Sequence, residues 1–187
     1  MNPNNVEQIA AFYRGSATEN SLWYQGHLMT VLASGDETGG SFALIDTWAL
    51  SGNEPPRHVH EREDETFVFI EGSGTFYVGD EVFDVEAGGA IFLPRGVPHS
   101  FKIRSERARA LILLSPAGFE NWFREFSEPA RAMVIPEAHA PSYSDIEAMM
   151  AAAPRYGITF LPPSAAETAE AEREAVLPGV PAGTVPV

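Results

Sequence analysis

The chain has 187 residues, 44% hydrophobic and 11% aromatic, with a formal net charge of -14 at pH 7 and no cysteine. That length suits one domain with a substantial core, and the negative field argues against nucleic acid or an anionic membrane surface as partner. The missing thiols exclude disulfides, thiolate metal sites and a cysteine nucleophile.

The opening stretch MNPNNVEQIAAFYRG has no basic start followed by an apolar core, and no run approaches a membrane span. The expectation is therefore a cytoplasmic protein without a signal peptide. Residues 1–20 read as a polar arm, with Val6, Ile9, Ala10 and Tyr13 spaced for a turn or two of helix. Residues 21–33 are expected as one strand, largely apolar on both faces, with His27 on the barrel wall or pocket rim. A turn cluster over 34–40 leads to a strand over 41–50. Phe42, Leu44, Asp46 and Trp48 share one of its faces, and Trp48 is a candidate for lining a pocket.

His58 and His60 are two apart, so a strand presents both imidazoles on one face. Glu65 follows a charged turn and opens the strand-forming run 66–70; Glu63 and Asp64 are rival carboxylates. Two imidazoles and a carboxylate suit a divalent first-row transition metal, and both ligand types are in the required protonation state near pH 7. A hairpin is expected from 75–78 and 81–85. Strands over 90–93 and 99–103 flank the turn Pro94-Arg95-Gly96, and His99 is a third possible imidazole ligand. Residues 109–114 suit a buried closing strand.

Beyond it, Ser115 and Pro116 are placed as N-cap and first residue of a helix. Phe119, Trp122, Phe123 and Phe126 form one aromatic stripe on that helix. The stripe is expected against the outside of the barrel, the alternative being a lid over its mouth. His139 lies in a loop as a bystander. Capping boxes at Ser144–Glu147 and Ser164–Glu167 start two further helices, and residues 177–187 form a Pro/Gly-rich tail.

Regularly spaced short strands favour an all-β barrel with short C-terminal helices. The expected organisation is an arm over 1–20, a barrel core over 21–115, a helical extension packed on the barrel over 116–176, and the tail.

Two stretches resemble the cupin family. Gly52, His58, His60, Glu65 and Gly72 fit G-x5-H-x-H-x4-E-x6-G; Gly88, Pro94, Gly96 and His99 fit G-x5-P-x-G-x2-H. Where the family often has Asn, this chain has Ile103, which makes the pocket more apolar. The resemblance implies a double-stranded β-helix (jelly-roll) barrel with His58, His60, Glu65 and His99 on one divalent metal per chain: Fe, Mn, Co, Ni or Zn. Family spacing favours Glu65 over its two acidic neighbours. The order of parts is similar to small single-domain cupins of the quercetin (flavonol) dioxygenase type. That similarity implies O2-dependent cleavage of a flavonol or related enediol, with Glu65 as both ligand and general base. Phe67, Phe92 and Phe101 are expected to form the substrate pocket, joined by Trp48. A homodimer is implied as well. Two other functions are weighed. One is a metal-dependent isomerase, lyase or decarboxylase on a small oxo-acid or sugar, with Arg57, Arg95 or Arg104 binding a carboxylate. The other is a small-molecule sensor without turnover.

Overall fold

The computed structural model describes residues 9–137 and 141–176. Val6 of the arm, His139 and the tail lie outside the described residues. The chain folds as an all-β, double-stranded β-helix barrel of two antiparallel sheets, with a few short helices.

Its first two strands correct the expectation of one long strand. β1 (Ser21–Tyr24) and β2 (His27–Ala33) form a hairpin, with Tyr24 paired to His27. Gln25 and Gly26 both take positive φ, 46° and 82°, as a two-residue turn that follows strand twist requires. Gln-Gly lacks the usual Asn or Asp signal, so the turn was hidden in an apolar run. Next come α1 (Gly35–Thr38), capped by Ser34, and β3 (Ala43–Leu50). On β3 it is Ala43, Ile45, Thr47 and Ala49 that face the interior; Trp48 lies on the opposite face.

β4 (His58–His60) and β5 (Asp64–Glu71) follow, then β6 (Ser73–Val78), β7 (Glu81–Glu86), β8 (Ala90–Leu93), β9 (His99–Ile103) and β10 (Arg107–Ser115). Gly72 alone joins β5 in one sheet to β6 in the other. Its φ is +82°, and a Cβ there would sit 2.4 Å from Arg107 O, which only glycine avoids. The hairpin of β6 and β7 and the strands around His99 match expectation. In the core, Phe76 is fully buried, with Phe67, Phe69 and Phe101 ring centroids at 5.3, 5.9 and 5.2 Å.

The C-terminal region departs further. Ser115 is the last residue of β10, paired to Asp64, so it caps no helix. α2 (Glu120–Glu125) begins later, after Gly118 at φ +144°. Buried Glu120 anchors it, accepting hydrogen bonds from Gly35 N (2.8 Å) and Gly118 N (2.6 Å). β11 (Glu128–Pro129) pairs with β1. α3 (Tyr143–Ala152) is capped by Ser142 with Asp145, two residues before the expected Ser144. β12 (Ile158–Phe160), absent from the sequence reading, adds to β4. α4 (Ala165–Val176) starts at the expected box: Glu167 accepts from Ser164 N, and Glu167 N donates to Ser164 Oγ.

The larger sheet runs β11-β1-β2-β3-β10-β5-β8 and the smaller β12-β4-β9-β6-β7. No helix among the described residues is long and apolar enough to cross a membrane.

Candidate metal centre

Alternation on β4 turns both His58 and His60 into the barrel, where each is buried. β9 brings His99 directly opposite His58. The Pro94–Gly96 turn is tied to the same strand, because Gly96 N donates to His60 O at 2.7 Å. Glu65, second residue of β5, faces inward between Leu114 and Leu93. One ligand atom from each of the four residues lies within 4.8 Å of all the others. Glu65 Oε2 is 3.4 Å from His99 Nε2 and 3.9 Å from His60 Nε2.

The backbone sets two of the ring orientations. His58 Nδ1 donates to Pro56 O at 2.8 Å and His99 Nδ1 to Val97 O at 3.0 Å. Each ring therefore keeps its Nε2 lone pair for the cluster. His60 Nδ1 has no hydrogen-bond partner among the described residues, but the buried Glu63 Oε2, also unpaired, is 3.9 Å away. Glu63 is thus a buried neighbour of His60, with its carboxyl pushed up to about 7 by burial. Asp64 instead points outward to Arg95 (2.7 Å). Of the three acidic neighbours, Glu65 alone belongs to the buried four-residue cluster.

Burial, then the neighbouring charges of His99 and His60, depress His58 to about 3. Burial lowers His60 too, against the pull of Glu65. Burial raises Glu65, but the close approach of His99 and the neighbouring imidazoles of His60 and His58 outweigh it and hold it below the ordinary range. Near pH 7 the cluster offers neutral imidazoles at His58 and His60, an ionised carboxylate, and an unpartnered, buried His99 Nε2. That is the state in which these groups bind a metal cation, so the donor set fits one.

These shifts fix the sign of a pH effect. In metal-free protein the unfolded chain protonates His58 near 6.5, while the folded chain resists until about 3. Stability is therefore lost as pH falls through that window. Glu63 opposes this only between about 7 and its ordinary value of 4.5, where the folded state alone holds its proton. Between pH 4.5 and 3, His58 and Glu65 both act in the destabilising direction. Denaturant midpoints of chelator-treated protein are expected to fall across that interval, by about 1.4 kcal/mol per pH unit for each excess proton bound by the unfolded chain. A flat profile there would contradict the buried, uncharged histidines.

The cluster opens into a cavity lined by aromatic rings, among them Phe67, Phe101, Phe119, Trp122 and Phe160. Phe67 and Phe101 are where the sequence put them, and Ile103 lines the same space. Phe92 and Trp48 are not. Phe92 is 59% exposed, because Ile91 and Leu93 take the inward positions of β8. Trp48 sits outside against the guanidinium groups of Arg109 (5.1 Å) and Arg107 (5.4 Å). Three of the four stripe residues, Phe119, Trp122 and Phe123, line the cavity instead of the outer wall, with the Phe119 ring edge-on to His60 at 4.3 Å. β12 places Phe160 opposite His58 and Ile158 opposite His60. His27 is buried and lines the cavity but stands apart from the four-residue cluster.

Comparisons with known proteins agree with this architecture. A family model for the cupin domain matches residues 47–115. The quercetin 2,3-dioxygenase of Bacillus subtilis (strain 168) is 26% identical over 109 residues, 58% of this chain and 32% of that enzyme. The chain thus spans about a third of that relative's length. An uncharacterised protein of Streptomyces coelicolor is 29% identical over 72 residues, 38% of this chain and 69% of its own. An RMLC-like cupin from Shewanella frigidimarina superposes with a TM-score of 0.51 at 17% identity, covering 61% of this chain and 99% of its own; that likeness concerns the fold alone. The matched stretch encloses all four clustered residues, so the part of the chain that carries the cluster, residues 47–115, is a cupin domain.

Proposed function

We propose that the protein is a mononuclear metal-dependent dioxygenase that cleaves a flavonol or related enediol-type aromatic with O2. The observation that carries this reading is the character of the cavity. Its walls are largely aromatic and aliphatic, Glu65 is its one carboxylate, and no Arg or Lys lines it among the described residues. A neutral, flat organic molecule fits such a space; a small oxo-acid or sugar acid would enter without a counter-charge. Arg57, Arg95 and Arg104 are all engaged elsewhere, with Glu167, Asp64 and Glu170 respectively. This disfavours the isomerase or lyase reading.

His58, His60, His99 and Glu65 would hold the metal. When bound, a divalent Fe, Mn, Co, Ni or Zn ion supplies Lewis acidity and a template, and a redox-capable one supplies electron transfer as well. The ionised Glu65 carboxylate accepts the proton of the substrate hydroxyl. Phe67 and Phe101 flank a planar ring, and Phe119 with the α2 aromatics excludes water from the reacting edge.

The test is O2 uptake by metal-replete protein with 3-hydroxyflavone, quercetin and a β-diketone, alongside Glu65→Gln. Uptake with at least one of these is expected. Glu65→Gln is expected to lower it by about 10²–10⁴-fold, the range of a general base. No uptake with any of them would overturn the reading, and anaerobic turnover of an oxo-acid or sugar would replace it.

A further inference from the structure

Two polar atoms buried in the cavity wall away from the metal ligands have no partner among the described residues: His27 Nδ1 and Thr47 Oγ1. Both residues are more than nine-tenths buried. They occupy the same inner face, since His27 pairs across to Ala49 and Thr47 to Met29, which makes them diagonal neighbours on β2 and β3. An unpaired buried polar group is costly, so two on one patch of cavity wall ask for a ligand.

The chemistry of the patch can be read atom by atom. His27 Nε2 lies 3.0 Å from Asn53 O, a carbonyl that only accepts, so Nε2 carries the proton and Nδ1 is a bare acceptor. Burial lowers the His27 pKa, in keeping with that neutral tautomer. Thr47 contributes a hydroxyl. Tyr24, whose ring lies 6.4 Å from that of His27, accepts from Trp122 Nε1 at 2.9 Å, which leaves its own proton to donate; burial pushes its pKa up to about 12. One acceptor beside two hydroxyls matches a neutral hydroxyl group, which donates to Nδ1 and accepts in return. A methyl ether or ketone leaves Nδ1 unpaired, and a phenolate sets its charge against a lone pair.

Position gives the length of the ligand. Glu65 pairs with Leu114 and Leu114 with Ala43; Thr47 lies four residues farther along β3. At about 3.3 Å per residue the patch lies about 13 Å beyond the level of Glu65 along the strand direction. That is the length of a flat molecule of two or three rings.

We propose that His27 and Thr47, with Tyr24, form a second recognition site that selects a multi-ring aromatic bearing a phenolic hydroxyl at the end remote from the metal cluster. This rests on the reading that the cavity binds an enediol-type aromatic at that cluster.

Binding, not turnover, tests it. Metal-loaded protein is titrated under nitrogen with 3-hydroxyflavone and with its 4′-hydroxy and 7-hydroxy derivatives, followed by flavonol fluorescence and calorimetry. In the wild type, one hydroxylated derivative is expected to bind roughly tenfold tighter than the parent. In Thr47→Val, which keeps the shape, and in His27→Leu, which leaves no acceptor in place of Nδ1, that ratio is expected to collapse to about twofold. Equal affinities in the wild type, a ratio that survives in both variants, or binding of none of the three would overturn the proposal. O2 uptake is scored separately: hydroxyl preference without uptake sinks only the dioxygenase reading, and uptake without preference sinks only this one.

Discussion

Protein purified without chelator from cells supplied with Fe, Mn, Co, Ni and Zn is expected to carry about one metal ion per chain, and His99→Ala or Glu65→Ala to lose it. The magnitude follows from the geometry. Changes to the outer partners of metal ligands already cost about 10–100-fold in affinity, and these substitutions remove ligands themselves. His99 contributes an Nε2 with no other partner, and Glu65 is the carboxylate that brings compensating charge to a buried cation. A loss beyond about 100-fold is therefore expected, read by elemental analysis and by competition with a chelator. His27→Gln is the matched control: it also changes a buried histidine of the same cavity, but one outside the cluster, and is expected to keep the ion. Stability gives an independent readout. A metal that binds only the folded chain adds about 2.7 kcal/mol at 100 times its Kd, so added metal should raise the unfolding midpoint of the wild type and leave that of His99→Ala unmoved. Metal retained equally by all the variants would remove the cluster from consideration. Wild-type protein that takes up no metal even after reloading would end the enzyme reading with it.

The cluster was legible in the sequence because each of its spacings has a hard physical cause. A single residue between two histidines on a strand puts both on one face. Gly72 must cross between sheets under Arg107 O, and Gly96 must turn with φ +77° while its N–H reaches His60 O. Few residues satisfy those constraints, so the pattern survives in the letters. The lining of the cavity has no such signature. The larger sheet is apolar on both faces: Ile70, Phe92 and Leu113 are each more than a third exposed, while Ile45, Phe67, Ile91 and Ile112 are buried. A period of two then separates the faces without saying which is inside, and Trp48 and Phe92 were assigned to the wrong one. β12 was missed for another reason. It is three residues long and gains its stability by pairing with β4, about 100 positions earlier, a contact no local pattern encodes. The burial of Glu63 was equally out of reach, since it depends on how the segment around Gly118 and Glu120 folds over the site.

The aromatic stripe was the feature whose periodicity was plain and whose destination was not, and it yields the largest stability effect. Trp122 is 1% exposed, with Phe126, Tyr156, Phe119 and Phe160 ring centroids at 4.5–6.0 Å. It ties α2 to β12 by packing on Phe160 and to the β1–β2 hairpin by its hydrogen bond to Tyr24. Trp122→Ala removes the ring, leaves a cavity, and takes from Tyr24 its buried donor. The expected cost is about 3–5 kcal/mol, or a Tm lower by roughly 6–20 °C for a chain of this size. Trp122→Phe keeps most of the packing and loses the hydrogen bond, so about 1–2 kcal/mol is expected from it. Denaturant unfolding of metal-free protein reads both without the metal's own contribution. The damage should also reach the site, because Phe119, one turn before Trp122, packs edge-on against His60. Metal affinity in Trp122→Ala is therefore expected to fall although all four ligands remain. Were α2 a strap laid on the barrel surface, Trp122→Ala would cost less than about 1 kcal/mol and leave metal affinity untouched. That pairing of results would return the stripe to the outer wall and leave the cavity open at its mouth.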